Sequence, residues 1–290
     1  MKRITVLLVS VIVLVALAGC IATEQYEITA TTLPVYELTQ MLCENTGIQV
    51  GRLISENVSC LHDYTLQVQQ MRMLEGSKLI VISGAGFEDF LHDAISSSHT
   101  VIDASQNIEL YETHAHHDSE HHHTHETDPH IWLSPANARQ MAKNICNGLI
   151  NCYPESEVQF RKNLTGIEQE IDQLERYATE RLSNLDKRQI ITFHDGFSYM
   201  ADYFDIEILH AIEEESGSEA SAAELIELLN LVDEFQLSSI FIERNGSVSA
   251  ARIIAAEKDC TVYELDMALS GTSYFEAMYH NINTLKEALG

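Results

Sequence analysis

Short apolar runs alternate with amphipathic stretches along most of this chain, and the alternation predicts its elements. In the first half, strands are expected at residues 26–30, 48–54, 78–83 and 100–103. Helices are expected at 33–45, 64–75 and 87–95, with Gly47 and Gly76 as stops. The run Lys78-Leu-Ile-Val-Ile-Ser83 is nearly all apolar, the signature of a parallel strand covered on both faces. A helix follows at 135–151, with Ser134 placed to cap it and Pro135 at its first position. From Pro154 to about Asn184, Leu164, Ile167, Ile171, Leu174, Ala178 and Leu182 step by three or four, which predicts one helix of roughly 45 Å. That exceeds what one small domain needs and reads as a rigid strut. The alternation then restarts, with strands at 189–193, 206–212, 238–242 and 261–265 and helices at 196–204, 220–235, 247–258 and 273–289.

Each half therefore holds four strand–helix units, and the fold class is α/β. Two lobes are expected, each a mostly parallel four-stranded sheet with flanking helices, joined by the long rigid helix. Their bounds are 20–153, 154–184 for the linker helix, and 185–290. The halves share no clear sequence repeat.

Residues 1–19 have the plan of a secretory signal: a basic head, an apolar run from Ile4 to Ala18, and small residues before a cut. Leu17-Ala-Gly-Cys20 resembles a bacterial lipobox, which implies cleavage before Cys20 and lipid attachment to its sulfur. The chain would then sit outside the cytoplasm, anchored to membrane lipid through Cys20. The 271 residues from Cys20 onward carry 15 basic and 44 acidic residues, a formal charge of −29. This excludes a generic nucleic-acid binder and suits a surface that attracts cations. Cys43, Cys60, Cys146, Cys152 and Cys260 remain, an odd count without the spacing of a CxxC metal site. Two readings stand: a Cys43–Cys60 disulfide in an exported chain, or buried free thiols.

The candidate chemistry lies in histidine. Seven fall within twelve residues, His114, His116, His117, His121, His122, His123 and His125, inside a long segment spanning 112–127. One more, His130, follows in the stiff stretch Asp128-Pro-His-Ile-Trp-Leu-Ser-Pro135, where Pro129 fixes its own φ and restricts Asp128. In open α/β sheets ligands bind beyond the carboxyl ends of strands. Four metal-capable residues stand at such ends: His62, His130, His194 and Asp266. Three imidazoles and a carboxylate, two from each lobe, suit a four-coordinate zinc ion in the cleft, whereas more carboxylates would lean toward manganese. Taken singly, each has a plainer reading, a hydrogen-bonded core histidine or an aspartate capping the turn before Gly271. Asp195 could orient an imidazole or cap the helix at 196–204, and the cap is the expected role. His92, His99, His210 and His280 lack supporting context. The crowded histidines read as interchangeable weak metal ligands or as a solvated tract.

The chain resembles the zinc-binding proteins of bacterial or archaeal ABC importers, within the solute-binding group that also holds manganese-binding proteins and metal-binding adhesins. The resemblance rests on Leu-Ala-Gly-Cys20, Asp128-Pro-His-Ile-Trp-Leu-Ser-Pro135, Ile190-Ile-Thr-Phe-His-Asp-Gly-Phe-Ser-Tyr199, Ile240-Phe-Ile-Glu243 and Leu265-Asp266. It implies two α/β lobes joined by a long helix, with metal ligands at His62, His130, His194 and Asp266. It also implies zinc rather than manganese, because the manganese members carry Glu where His194 stands. One departure is that Cys60-Leu61, not Asp-Pro, precedes His62.

The function expected is therefore capture of Zn²⁺ and its delivery to a membrane permease, by a monomer and without catalysis. Four protein ligands fill the tetrahedron and leave no position for the activated water a zinc hydrolase needs. A manganese or iron carrier and a metal-binding adhesin are the alternatives.

Overall fold

A computed structural model of the chain describes residues 26–58, 61, 64–95, 99–112, 127–212 and 221–290. Among the described residues, eight strands form two sheets of four. The first sheet holds β1 (Ile28–Ala30), β2 (Val50–Arg52), β3 (Leu79–Ile82) and β4 (Thr100–Asp103), all parallel in the order β2-β1-β3-β4. The second holds β5 (Gln189–Thr192), β6 (Glu207–Ala211), β7 (Ser239–Glu243) and β8 (Thr261–Leu265), parallel in the order β6-β5-β7-β8. The two orders are the same, so the fold repeats where the sequence does not. Helices pack against strands of both sheets, and the β3 segment Leu79–Val81 and the whole of β7 are buried.

Helices α1 (Leu33–Leu42), α2 (Val68–Gly76) and α3 (Pro135–Cys152) belong to the first lobe. The strut is α4 (Glu157–Leu182), 26 residues and about 39 Å long, preceded by a separate 3₁₀ turn at Pro154–Ser156. The second lobe adds α5 (Ser198–Tyr203), α6 (Ala222–Phe235), α7 (Ser249–Lys258) and α8 (Tyr274–Leu289). The strut packs on α1 and α3 of the first lobe and on α8 of the second. Its buried stripe is Phe160, Ile167, Ile171, Leu174, Ala178 and Leu182, with Leu164 partly buried beside it.

Two local expectations fail. The stretch 87–95 is not an α-helix and holds only a 3₁₀ turn at Asp89–Leu91. Gly84, Ala85 and Gly86 all have positive φ immediately before it, so the chain enters in a left-handed turn that cannot run straight into a helix. The carboxylate of Glu88 folds back onto the amides of Ser83 and Gly84 and the hydroxyl of Thr31. Burial raises its pKa, against the lowering effect of those hydrogen bonds. Secondly, Ser134 precedes α3 without a side-chain capping bond.

One apolar core runs from β1, β3, α1 and α3 through the strut to Phe197, Tyr274 and Ile282 of the second lobe. A smaller cluster, including Ile191, Leu228, Ile240 and Ile254, lies within the second lobe alone. Hydrogen bonds cross between the lobes as well. Arg52 donates to the carbonyls of Leu269 and Gly271 at 2.9 and 2.7 Å. Glu37 accepts from the Ser273 hydroxyl and the Tyr274 amide. Replacing Arg52 with Met removes both of its charge-assisted bonds across the cleft. It is expected to cost about 1–3 kcal/mol, read as a lower melting temperature in thermal denaturation.

Candidate metal centre

His130 sits where the chain returns from residue 127 to the first lobe. A 3₁₀ turn, Ile131–Leu133, follows it with all three side chains fully buried. Asp128 sets the ring. Its Oδ1 accepts from the His130 amide at 2.9 Å and lies 2.8 Å from Nδ1. A carboxylate only accepts, so Nδ1 carries the proton, and in the neutral ring Nε2 keeps the lone pair a metal requires. Phe87 and Trp132 pack edge-on against the imidazole, with ring centroids 5.5 and 5.4 Å away.

His194 comes from the other lobe, two residues beyond β5. It meets His130 edge to face, with centroids 5.2 Å apart and planes at 83°. Both histidines are buried. The space between them exists because residue 196 is glycine. A Cβ there would lie 2.8 Å from His130 Nδ1, 2.8 Å from His194 Cδ2 and 2.7 Å from the Met267 methyl. The expected capping role of Asp195 does not hold, because α5 begins at Ser198 with Phe197 in the cap position. Asp195 is instead buried beside His194.

Asp266 stands one residue beyond β8 and is also buried. Its Oδ1 accepts from the Ala268 amide at 2.8 Å, so the turn-capping role is real. Its Oδ2 accepts from Arg244 Nη1 at 2.5 Å. Asn281, fully buried on α8, holds the Asp266 backbone through both its amide and its carbonyl. Among the described residues no three His, Cys, Asp or Glu side chains form a group able to hold a metal ion. His62 lies outside the described residues, as do His114, His116, His117, His121, His122, His123, His125 and Cys20.

The chain on either side of those positions is fixed. Glu112 pairs with Thr127 across an antiparallel bridge, and the Asp128 amide donates to the Tyr111 carbonyl. Tyr199 of the second lobe stacks on Tyr111 at 4.5 Å. It accepts from the Tyr111 amide and donates to the Asp128 carbonyl. Burial pushes its phenol up to about 12, so the proton stays available for that donation. On the segment before His62, both the amide and the carbonyl of Val58 bond the Ser270 hydroxyl.

Sequence reasoning assigned no role to Glu243 or Arg244. Glu243 ends a wholly buried strand, and its Oε2 lies 3.7 Å from His194 Nδ1. The rule that singled out Asp266, a metal-capable residue at a strand's carboxyl end, would have found Glu243 but not Arg244. Of the four free cysteines described, Cys43, Cys146 and Cys260 are buried and Cys152 is exposed; Cys60 lies outside the described residues.

A family profile described as "ZnuA: Zinc-uptake complex component A periplasmic" matches residues 28–288. The chain belongs to that family: it is a metal-binding, extracytoplasmic component of ABC importers and not an enzyme. It is 27% identical over 308 residues to the zinc-binding lipoprotein AdcA of Streptococcus pneumoniae (strain ATCC BAA-255 / R6), covering 99% of this chain but 61% of that one. The chain thus spans about three fifths of that streptococcal relative. A crystal structure of a ZnuA deletion mutant with zinc bound superposes with a TM-score of 0.78 at 25% identity, over 92% of this chain and 99% of the other. A laminin-binding adhesin of Streptococcus agalactiae superposes at 0.77 with 22% identity, over 91% of this chain and 99% of the other, and shows the fold alone. Among the described residues, no helix is long and apolar enough to cross a membrane.

Two substitutions test the geometry. Gly196→Ala pushes the imidazoles apart, and Asp128→Ala releases the His130 tautomer. Each is expected to weaken metal binding by about tenfold to a hundredfold, measured by calorimetric titration, with the far-ultraviolet circular dichroism unchanged.

Proposed function

We propose that this chain captures Zn²⁺ outside the cytoplasm and hands it to the importer's membrane permease. The ion is cargo, and its ligands are His62, His130, His194 and Asp266. The observation that carries this reading is the pair of buried imidazoles, one from each lobe, facing each other over Gly196. Neutral imidazoles with a single carboxylate favour zinc over manganese, which takes more oxygen donors. The zinc named for AdcA and found in the ZnuA deletion mutant supports the same choice. His62 enters from the sequence, at the end of a segment whose Val58 is tied to Ser270, four residues beyond Asp266. The chain acts as a monomer, anchored to membrane lipid through Cys20.

In this reading His114, His116, His117, His121, His122, His123 and His125 are accessory. They bind zinc weakly and exchange it fast, and they load the cleft rather than form it. The short distance in sequence from Thr127 to His130 supports the handover.

The test is metal titration of the chain from Cys20 onward, with and without residues 114–125. One tight zinc is expected in both, and further weak zinc only when the segment is present. Loss of the tight site on deletion would overturn the assignment. Preferential retention of Mn²⁺ in a competition of the two ions would overturn the choice of zinc.

A further inference from the structure

A cation already occupies one side of the Asp266 carboxylate. Arg244 and Asp266 each stand one residue beyond paired parallel strands, β7 and β8, whose register ends at Glu243 opposite Leu265. The Arg244 amide donates to the Leu265 carbonyl at 2.8 Å, which continues the ladder and brings the two side chains together. The guanidinium then donates from Nη1 to Asp266 Oδ2 at 2.5 Å.

The two partners differ in freedom. Asp266 is buried, its other oxygen is bonded to Ala268, and its backbone is held on both sides by Asn281. The Arg244 side chain is 42% exposed, and its Nη2 lies 3.5 Å from His280 Nε2. The carboxylate cannot turn away, whereas the guanidinium can swing toward water. An incoming dication and this guanidinium are rivals for the same negative charge, and like charges side by side repel.

We propose that Arg244 is the release element of the site: it holds Asp266 between loads, weakens the grip on zinc, and retakes the carboxylate as the ion leaves. This rests on Asp266 being a zinc ligand, as proposed above. A merely structural Arg244 would fix Asp266 for the metal, so its removal would loosen zinc. A competing Arg244 predicts the opposite sign.

The experiment is stopped-flow release of zinc from the full chain into excess chelator. Arg244→Gln and Arg244→Met remove the charge with different side chains, and Arg244→Lys keeps it. Release is expected to slow by about tenfold in Arg244→Gln and Arg244→Met, in line with the loss of one charge-assisted bond. Arg244→Lys is expected to release near the unaltered rate. In an Asp266→Asn background, Arg244→Gln should no longer slow release. Thermal denaturation of each metal-free variant identifies any that do not fold, and release rates are compared among those that do. Equal or faster release from Arg244→Gln and Arg244→Met, with Asp266→Asn itself speeding release, would overturn this inference and leave the ligand set standing. If Asp266→Asn leaves release unchanged, Asp266 is not a ligand and both readings fall.

Discussion

The site depends on one buried hydrogen bond. The indole of Trp132, wholly enclosed, donates from Nε1 to the carbonyl of Met267 at 2.8 Å. A buried donor must find an acceptor, and leaving it unmade costs about 1–3 kcal/mol. Here the acceptor belongs to the other lobe. Trp132 is two residues beyond His130, and Met267 is one residue beyond Asp266. The bond therefore fixes the turn carrying the histidine against the turn carrying the carboxylate. Its return partner is Tyr274, whose hydroxyl donates to the Trp132 carbonyl at 2.7 Å. Two residue pairs so close to the candidate ligands leave little slack between the strand ends.

That tie limits how a metal can enter and leave. The main core includes residues of both lobes, and the strut packs on both. A wide hinge would expose this core at about 25 cal/mol per Å² of apolar surface, as well as breaking the bonds of Arg52, Trp132, Tyr199 and Tyr274. Rearrangement of single side chains or short segments costs far less. The imidazole pair is itself rigid, because Gly196 leaves no spare volume and Asp128 fixes the tautomer. Asp266 is fixed by Asn281. What remains adjustable among the described groups is the half-exposed guanidinium of Arg244.

Much of this was legible in the sequence. Apolar period and helix stops predicted eight strands, the strut and the two lobes, since sheets covered on both faces leave unbroken apolar runs such as Leu79–Ile82. The rule that ligands gather at strand carboxyl ends picked out His130 and His194, whose imidazoles the structure brings edge to face, and Asp266, which it places one residue beyond β8. What stayed hidden was hidden for physical reasons. The stretch 87–95 has helical spacing, but the three positive φ angles at 84–86 that defeat the helix include an alanine, which carries no turn signal. Arg244 looks like an ordinary surface arginine until the β7–β8 register sets it against Asp266. Gly196 reads as a helix start, and only the packing of two imidazoles about it reveals that a Cβ has no room. The matching strand orders of the two sheets were invisible because topology depends on the apolar pattern, not on residue identity.

Charge balance then explains why an arginine belongs here. With the proposed ligands, Asp266 is the one charged donor to the ion. Three further carboxylates stand by the imidazoles, Asp128 on His130 and both Asp195 and Glu243 beside His194. Such outer carboxylates raise the basicity of the rings and tighten their hold on a metal. Buried carboxylates without a counter-charge are costly when the ion is away. Arg244 supplies one positive charge permanently, and the dication supplies two more when bound. Empty, the deficit is reduced by a residue that reaches water and so costs little to desolvate. The same group that makes the empty site tolerable makes the full site easier to empty, and a carrier needs both.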